Sequence, residues 1–252
     1  IKTRFDLAQT YYAAKDYDNG VTLFSGIADT PNRAILNVDT VTVAIDELVL
    51  PVRIAARYQV GNSLRNVGLD LLARSESALA DGDTATARAR RLKAVEALRQ
   101  ARERFTTIVQ DEKAPEKVRV MSQYQVVRAA FALEEYQAVV RDVDRLLTLF
   151  PGNSYEEAAL YDLGWAYFRM GEPTRSTESF QRVLRMSQDA VRIDRALFQI
   201  GEAYFGLDSL REARTWYQRL VDKYDFSAFS EKDLLAMQTA RIRGVVQETT
   251  RE

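Results

Sequence analysis

The stretch Leu163-Gly164-Trp165-Ala166-Tyr167-Phe168 decides how this chain folds. It reads as helix, with no Pro and with one residue, Gly164, that has no side chain among large rings. The run stops at Gly171-Glu172 and restarts through Ser176, Phe180 and Val183. A small residue where two antiparallel helices cross lets the backbones approach, and a ring from the second helix fills the gap. Gly164 is therefore expected to lie against Phe180.

The same order recurs along the chain. Ile200-Gly201-Glu202-Ala203-Tyr204-Phe205 leads to Asp208-Ser209, then Ala213, Tyr217 and Leu220. Leu7-Ala8-Gln9-Thr10-Tyr11-Tyr12 leads to Asp16-Tyr17, then Gly20, Phe24 and Ile27. Ala129-Ala130-Phe131 leads to Glu135-Tyr136, then Val139, Val143, Leu146 and Pro151. These units begin at Ile1, Val120, Glu157 and Asp194, and the last two intervals are 37 residues each. One such helix pair cannot bury its apolar face alone, so pairs must stack.

The interval from Ile1 to Val120 is too long for one unit, and a lengthened pair fits inside it. Ile54-Ala55-Ala56-Arg57-Tyr58-Gln59-Val60-Gly61 opens a first helix, and Ala101, Phe105 and Ile108 close a second. Leu64, Gly68, Leu71, Ser75 and Leu79 continue the three- and four-residue spacing outward. Ala85, Ala89, Leu92, Val95 and Leu98 bring it back. Asp81-Gly82-Asp83-Thr84 stops one helix and caps the next. The spacing predicts helices near 52–80 and 84–110, each about four turns longer than usual, as one hairpin whose tip projects.

The residue pattern resembles the tetratricopeptide repeat, with small residues at positions 8 and 20, aromatics at 11 and 24 and Pro near 32. Gly20 and Ser176 stand where Ala is usual, Ala130 and Val143 replace aromatics, and Pro occurs near 32 at Pro31 and Pro151. The resemblance implies an all-α fold over 1–252, a TPR-like α-solenoid of stacked antiparallel helix pairs with one extended protruding hairpin. Repeats are expected near 1–31, 54–110, 120–152, 157–188 and 194–225. Ser230-Glu231-Lys232-Asp233 starts a further amphipathic segment, expected as a capping helix over 230–249.

The resemblance also implies a groove lined by the first helix of each pair. Positions 5 and 12 are Phe5 and Tyr12, Tyr58 and Arg65, Tyr124 and Phe131, Tyr161 and Phe168, Phe198 and Phe205. Position 9 supplies Gln9, Asn62, Arg128, Trp165 and Glu202. Tyr58, Tyr124, Arg128, Phe131, Tyr161, Trp165, Phe168, Phe198, Glu202 and Phe205 are thus the candidate partner-binding residues. Aromatic rings give large contact area at low entropic cost. The same rings could equally pack between helices and meet no ligand. Family members that grip a terminal carboxylate use Lys and Asn here, whereas position 5 of this chain is aromatic throughout, which argues against that mode.

Two further segments stand out. Arg88, Arg90, Arg91, Lys93, Arg99, Arg102 and Arg104 outnumber Glu96 and Glu103 on the returning helix. Arg88, Arg91, Lys93, Arg99 and Arg102 are either a solvated face or a docking surface for an acidic partner or membrane. Residues 32–50 are hard to read; a short helix through Ala44–Leu48, ended before Pro51, is one expectation, and a partner-contacting insertion another.

Composition narrows the chemistry. The chain has no Cys and no His, which removes thiol nucleophiles, the commonest general base and the commonest metal ligand. Adjacent carboxylates Glu134-Glu135 and Glu156-Glu157 fall at turns or helix starts and read as solvated charges. With 35 basic and 36 acidic residues, bulk charge argues against nucleic-acid binding. The expectation is a non-enzymatic scaffold for a protein or peptide, with no cofactor, no metal and no membrane span. Ile1 opens inside a helix-like run, which suggests a processed chain, and membrane association would come through a partner or a lost anchor. Ala196-Leu197-Phe198-Gln199-Ile200-Gly201 and Tyr217-Gln218-Arg219-Leu220-Val221-Asp222-Lys223-Tyr224 resemble bacterial envelope-associated tetratricopeptide proteins. That likeness covers residues 155–225 and implies a periplasmic or outer-membrane-associated address.

Overall fold

The computed structural model describes residues 1–31, 38–45 and 48–223. Among them are ten α-helices, falling into five consecutive antiparallel pairs. The chain divides into two compact units, Ile1–Glu156 and Glu157–Glu252. The expected segment at 230–249 lies outside the described residues.

In the first unit, α1 (Lys2–Ala13) pairs with α2 (Tyr17–Ala28), α3 (Val52–Ala80) with α4 (Thr84–Gln110), and α5 (Glu116–Ala132) with α6 (Tyr136–Leu149). The second helix of each pair packs on the first helix of the next, α2 on α3 and α4 on α5. In the second unit, α7 (Glu156–Arg169) and α8 (Pro173–Met186) precede α9 (Ala190–Gly206) and α10 (Leu210–Asp222), with α8 on α9. This is the TPR-like stacking that the pattern implies.

The crossings are where the sequence put them. A Cβ built on Gly164 would lie 2.8 Å from the Phe180 ring, and one on Gly61 2.7 Å from Phe105. Gly201 sits the same way against Tyr217. The lengthened pair has a second close crossing, where a Cβ on Gly68 would meet Leu98 at 2.6 Å. No other residue fits at these points without moving the side chain that fills the crossing.

All five pairs turn in the same way. Lys15, Gly82, Glu134, Gly171 and Asp208 each take positive φ, between 57° and 82°. In each turn the next N–H donates back five residues, Asp16 to Tyr11, Asp83 to Ala78, Glu135 to Ala130, Glu172 to Tyr167 and Ser209 to Tyr204. This is the Schellman closure, which satisfies carbonyls left over at a helix end. Three of the five turns place a non-glycine residue in the left-handed region.

The long hairpin has the expected bounds, 29 and 27 residues. The Tyr12 hydroxyl, at the end of α1, accepts a hydrogen bond from Asn66, and α3 runs on from there to Ala80. Those 14 residues extend about 21 Å beyond that contact. Along this stretch Ser75 donates to the Ala87 carbonyl, and Ala78, Ala87 and Ala94 are buried where the two helices meet.

One expectation is overturned. Ala44, Ile45 and Leu48, expected in a short helix before Pro51, lie instead in two antiparallel strands, β1 (Thr42–Ile45) and β2 (Leu48–Pro51), with Val43 opposite Leu50 and Ile45 opposite Leu48. Val43, Ile45 and Leu50 point into the core, while Thr42, Ala44 and Val49 face out. The β-branched alternation of Val41-Thr42-Val43-Ala44-Ile45 carries this two-residue period, and burial beside α1 and α3 makes it decisive.

Candidate functional site

The first helices carry the candidate groove residues, and the rings at position 5 turn out to have a partner within their own pair. Phe5 meets Phe24 at 5.3 Å between centroids, Tyr58 meets Phe105 at 5.6 Å, and Tyr161 meets Phe180 at 5.6 Å, all edge-on. Phe198 and Tyr217 make the corresponding contact at 5.9 Å. Tyr58 and Tyr161 are only 5% and 8% exposed. Phe5, Tyr58 and Tyr161 complete the helix crossing rather than line a surface. Trp165 joins them, 9% exposed and edge-on to Tyr161, Phe168 and Phe180.

The third pair breaks this rule for a reason written in the sequence. Its position 24 is Val143, fully buried, which offers no ring to Tyr124. Tyr124 instead stacks on Tyr155, 4.9 Å apart with planes 26° from parallel, and keeps part of its surface exposed. Phe131 packs edge-on against Tyr136 across the turn, as Tyr12 does against Tyr17.

In the first unit the first-helix face is polar beside these rings. Gln59 donates to Gln9 at 3.1 Å, Asn62 to Gln59 at 3.0 Å, and Asn66 to Tyr12 at 3.1 Å. Burial pushes the Tyr58 hydroxyl up to about 12, with Asn62 hydrogen-bonded to it. Arg65 lies in the middle of this face. Burial, and then the charge of Arg128 from α5, hold its guanidinium below the usual arginine range. Its Nε is buried without a hydrogen-bond partner, and its one direct bond, to the Asn66 side chain, is 3.5 Å long.

In the second unit Phe168, Phe198 and Glu202 are partly exposed and Phe205 is 59% exposed. Glu202 accepts a very short hydrogen bond from the Tyr217 hydroxyl. Burial, together with that carboxylate, raises the Tyr217 pKa. Tyr217 thus fills the space over Gly201 with its ring and anchors α10 to α9 with its oxygen.

The basic helix is largely answered from within. Arg88, Arg91, Arg99 and Arg102 fall on one stripe of α4 at three- and four-residue steps through Val95. Arg91 pairs with Glu134 at 3.3 Å and Arg99 with Glu135 at 3.9 Å. Arg102 bridges Glu135 at 2.8 Å and Asp142 at 2.7 Å. Glu134 and Glu135 are therefore partners of the hairpin, not only solvated turn charges. Arg88 and Lys93 are exposed.

Among the described residues no cluster of His, Cys, Asp or Glu could hold a metal ion, and no helix is long and apolar enough to cross a membrane. Arg65 occupies position 12 of the lengthened pair and is not among the candidate groove residues read from the sequence. Its signal was a cation where the other four pairs carry a ring.

Residues 158–186 and 195–227 match the tetratricopeptide repeat family, and the chain carries repeats of that kind. Such repeats typically build non-catalytic scaffolds for other proteins. Among solved structures, a MamA protein superposes with a TM-score of 0.56 over 91% of this chain and 94% of its own, at 19% identity. A putative kinesin light chain of Podosopora anserina, with nearly identical TPR-like repeats, gives 0.52 over 91% and 97%, at 16% identity. At these identities the likeness is one of fold. Comparison with curated proteins gives no match.

Proposed function

We propose that this protein is a non-catalytic scaffold that holds a partner protein segment against its first helices, with the α1–α3–α5 face of the first unit as the principal site. The observation that carries the reading is the Tyr124–Tyr155 stack beside Arg65 and Arg128. Aromatic surface next to arginine is the composition of interaction hot spots. The set of candidate groove residues is narrowed accordingly. Tyr161 and Trp165 support the fold, and Phe168 and Phe205 offer a separate exposed surface on the second unit.

A second reading is favoured by the overhang of the long hairpin. In it the protein is a structural subunit of an envelope assembly, docking through the hairpin and the 32–50 insertion. A periplasmic or outer-membrane-associated address goes with either reading and rests on the resemblance of residues 155–225. Affinity capture from the native source, followed by identification of what co-purifies, supplies the partner. Loss of that partner with Tyr124→Ala and Arg128→Ala supports the face. Loss only on deletion of residues 70–95 refutes it in favour of the hairpin. Fractionation of the native cell tests the address.

A further inference from the structure

A cation placed in low dielectric without an anion is expensive, by several kcal/mol even after relaxation. Arg65 is such a cation. It lies on α3, flanked by the tyrosines Tyr12, Tyr58 and Tyr124, and the charge it feels most strongly is that of Arg128, which repels it. Its Nε is shut from solvent with no acceptor, while the residue as a whole keeps part of its surface exposed. Asn66 does little for it, since its amide oxygen is neutral and takes only a 3.5 Å contact from Arg65. Elsewhere in the unit Arg57 has Asp111 at 2.7 Å and Arg102 has Glu135 and Asp142, while Arg53 and Arg119 donate to the backbone carbonyls of Ala28 and Val109 at 3.1 and 3.0 Å.

We propose that Arg65 is the anion-receiving residue of the first unit's face, and that the bound segment presents an internal Asp or Glu side chain to it. This rests on the reading of that face given above and names the chemistry of its occupant. Arg65 stands on the middle first helix, with Gln9 and Tyr12 on α1 to one side and Tyr124 and Arg128 on α5 to the other. A chain crossing the face continues past Arg65 in both directions. An anion carried within the segment fits this placement; a carboxylate at its end would leave half the face uncovered. The bound carboxylate would form charge-assisted bonds in a water-poor setting, where they are strong. It would also relieve the repulsion between the two arginines, so binding and charge compensation are one event.

The test uses the full 252-residue chain and a random dodecapeptide library fused through its C-terminus, so that no free terminal carboxylate is offered. Expected are selected peptides sharing an internal Asp or Glu. Changing that residue to its amide should weaken binding to the wild type by about tenfold or more and leave binding to Arg65→Gln unaffected. Arg65→Met should lose the acidic preference while melting at or above the wild-type temperature, because an apolar chain of similar length no longer buries a lone charge. Selected peptides without acidic residues, or binding indifferent to Arg65→Gln yet abolished by Tyr124→Ala, overturn the proposal and leave the face as a binding site. A lower melting temperature for both Arg65→Met and Arg65→Gln, with acidic preference intact, assigns Arg65 to the fold and also overturns it. Absence of any selected peptide overturns both readings.

Discussion

Tyr124 stacks on Tyr155 because the residue that would otherwise receive its ring is Val143. In the other four pairs the position-5 ring is taken up by a ring on the returning helix. One missing aromatic thus converts a packing residue into a surface residue, and it does so next to Arg65 and Arg128.

Gly164→Ala should destabilise the protein by about 1–3 kcal/mol, since the new methyl would sit 2.8 Å from the fully buried Phe180 ring. The roughly 1 kcal/mol that Ala gains over Gly in a helix does not offset this. Gly26 in α2 has nothing within 4 Å of its Cβ direction, so Gly26→Ala should stabilise by up to about 1 kcal/mol. Urea melts of the two variants check the opposite signs.

Lys15→Gly should stabilise by about 0.5–1 kcal/mol. Lys15 holds a φ of 61° at the turn after α1, a region that costs a side-chain-bearing residue about 1 kcal/mol and costs Gly little. The same change at Glu134 also removes the ion pair to Arg91, so its gain should be smaller. Thermal unfolding of both variants makes the comparison.

Stability should fall as pH rises above 10. Tyr58 keeps its proton to about pH 12 in the folded protein and loses it near 10 when unfolded. Between those values the unfolded chain binds fewer protons, so its contribution is complete below pH 10 and declines by up to about 1.4 kcal/mol per pH unit above it. Tyr217, raised by burial and by Glu202, acts in the same direction. Tyr58→Phe should flatten the alkaline limb of denaturant midpoints plotted against pH, and an unchanged slope would contradict this assignment.

Arg102→Met should destabilise by about 1 kcal/mol in low salt and less in high salt, because Arg102 is partly exposed and joins α4 to two carboxylates on the next pair. The salt dependence of the difference distinguishes lost charge from lost packing. A penalty indifferent to salt would mean that the aliphatic stem carries the contact.

The helices were legible because their signals are local. Gly61, Gly164 and Gly201 mark close crossings, and Asp81-Gly82-Asp83-Thr84 marks the tip of the hairpin to the residue. The strands β1 and β2 were less so, since four-residue runs such as Thr42–Ile45 gain their meaning from what lies beneath them. The candidate face was half legible. Helical spacing put Tyr58, Tyr124 and Tyr161 at equivalent positions, and nothing in that spacing says which of them is spent on its own pair.

From the chain alone came five helix pairs, one of them lengthened, and an absence of His and Cys that narrows the available chemistry. These follow from periodicity and composition, which act over a few residues at a time. The assignment of side chains to core or surface was decided in three dimensions. Whether Tyr124 is free to stack depends on Val143, nineteen residues on, and the lone charge of Arg65 depends on which neighbours its helix meets. Burial and pairing are properties of the assembled helices, and so is the face that a partner would meet.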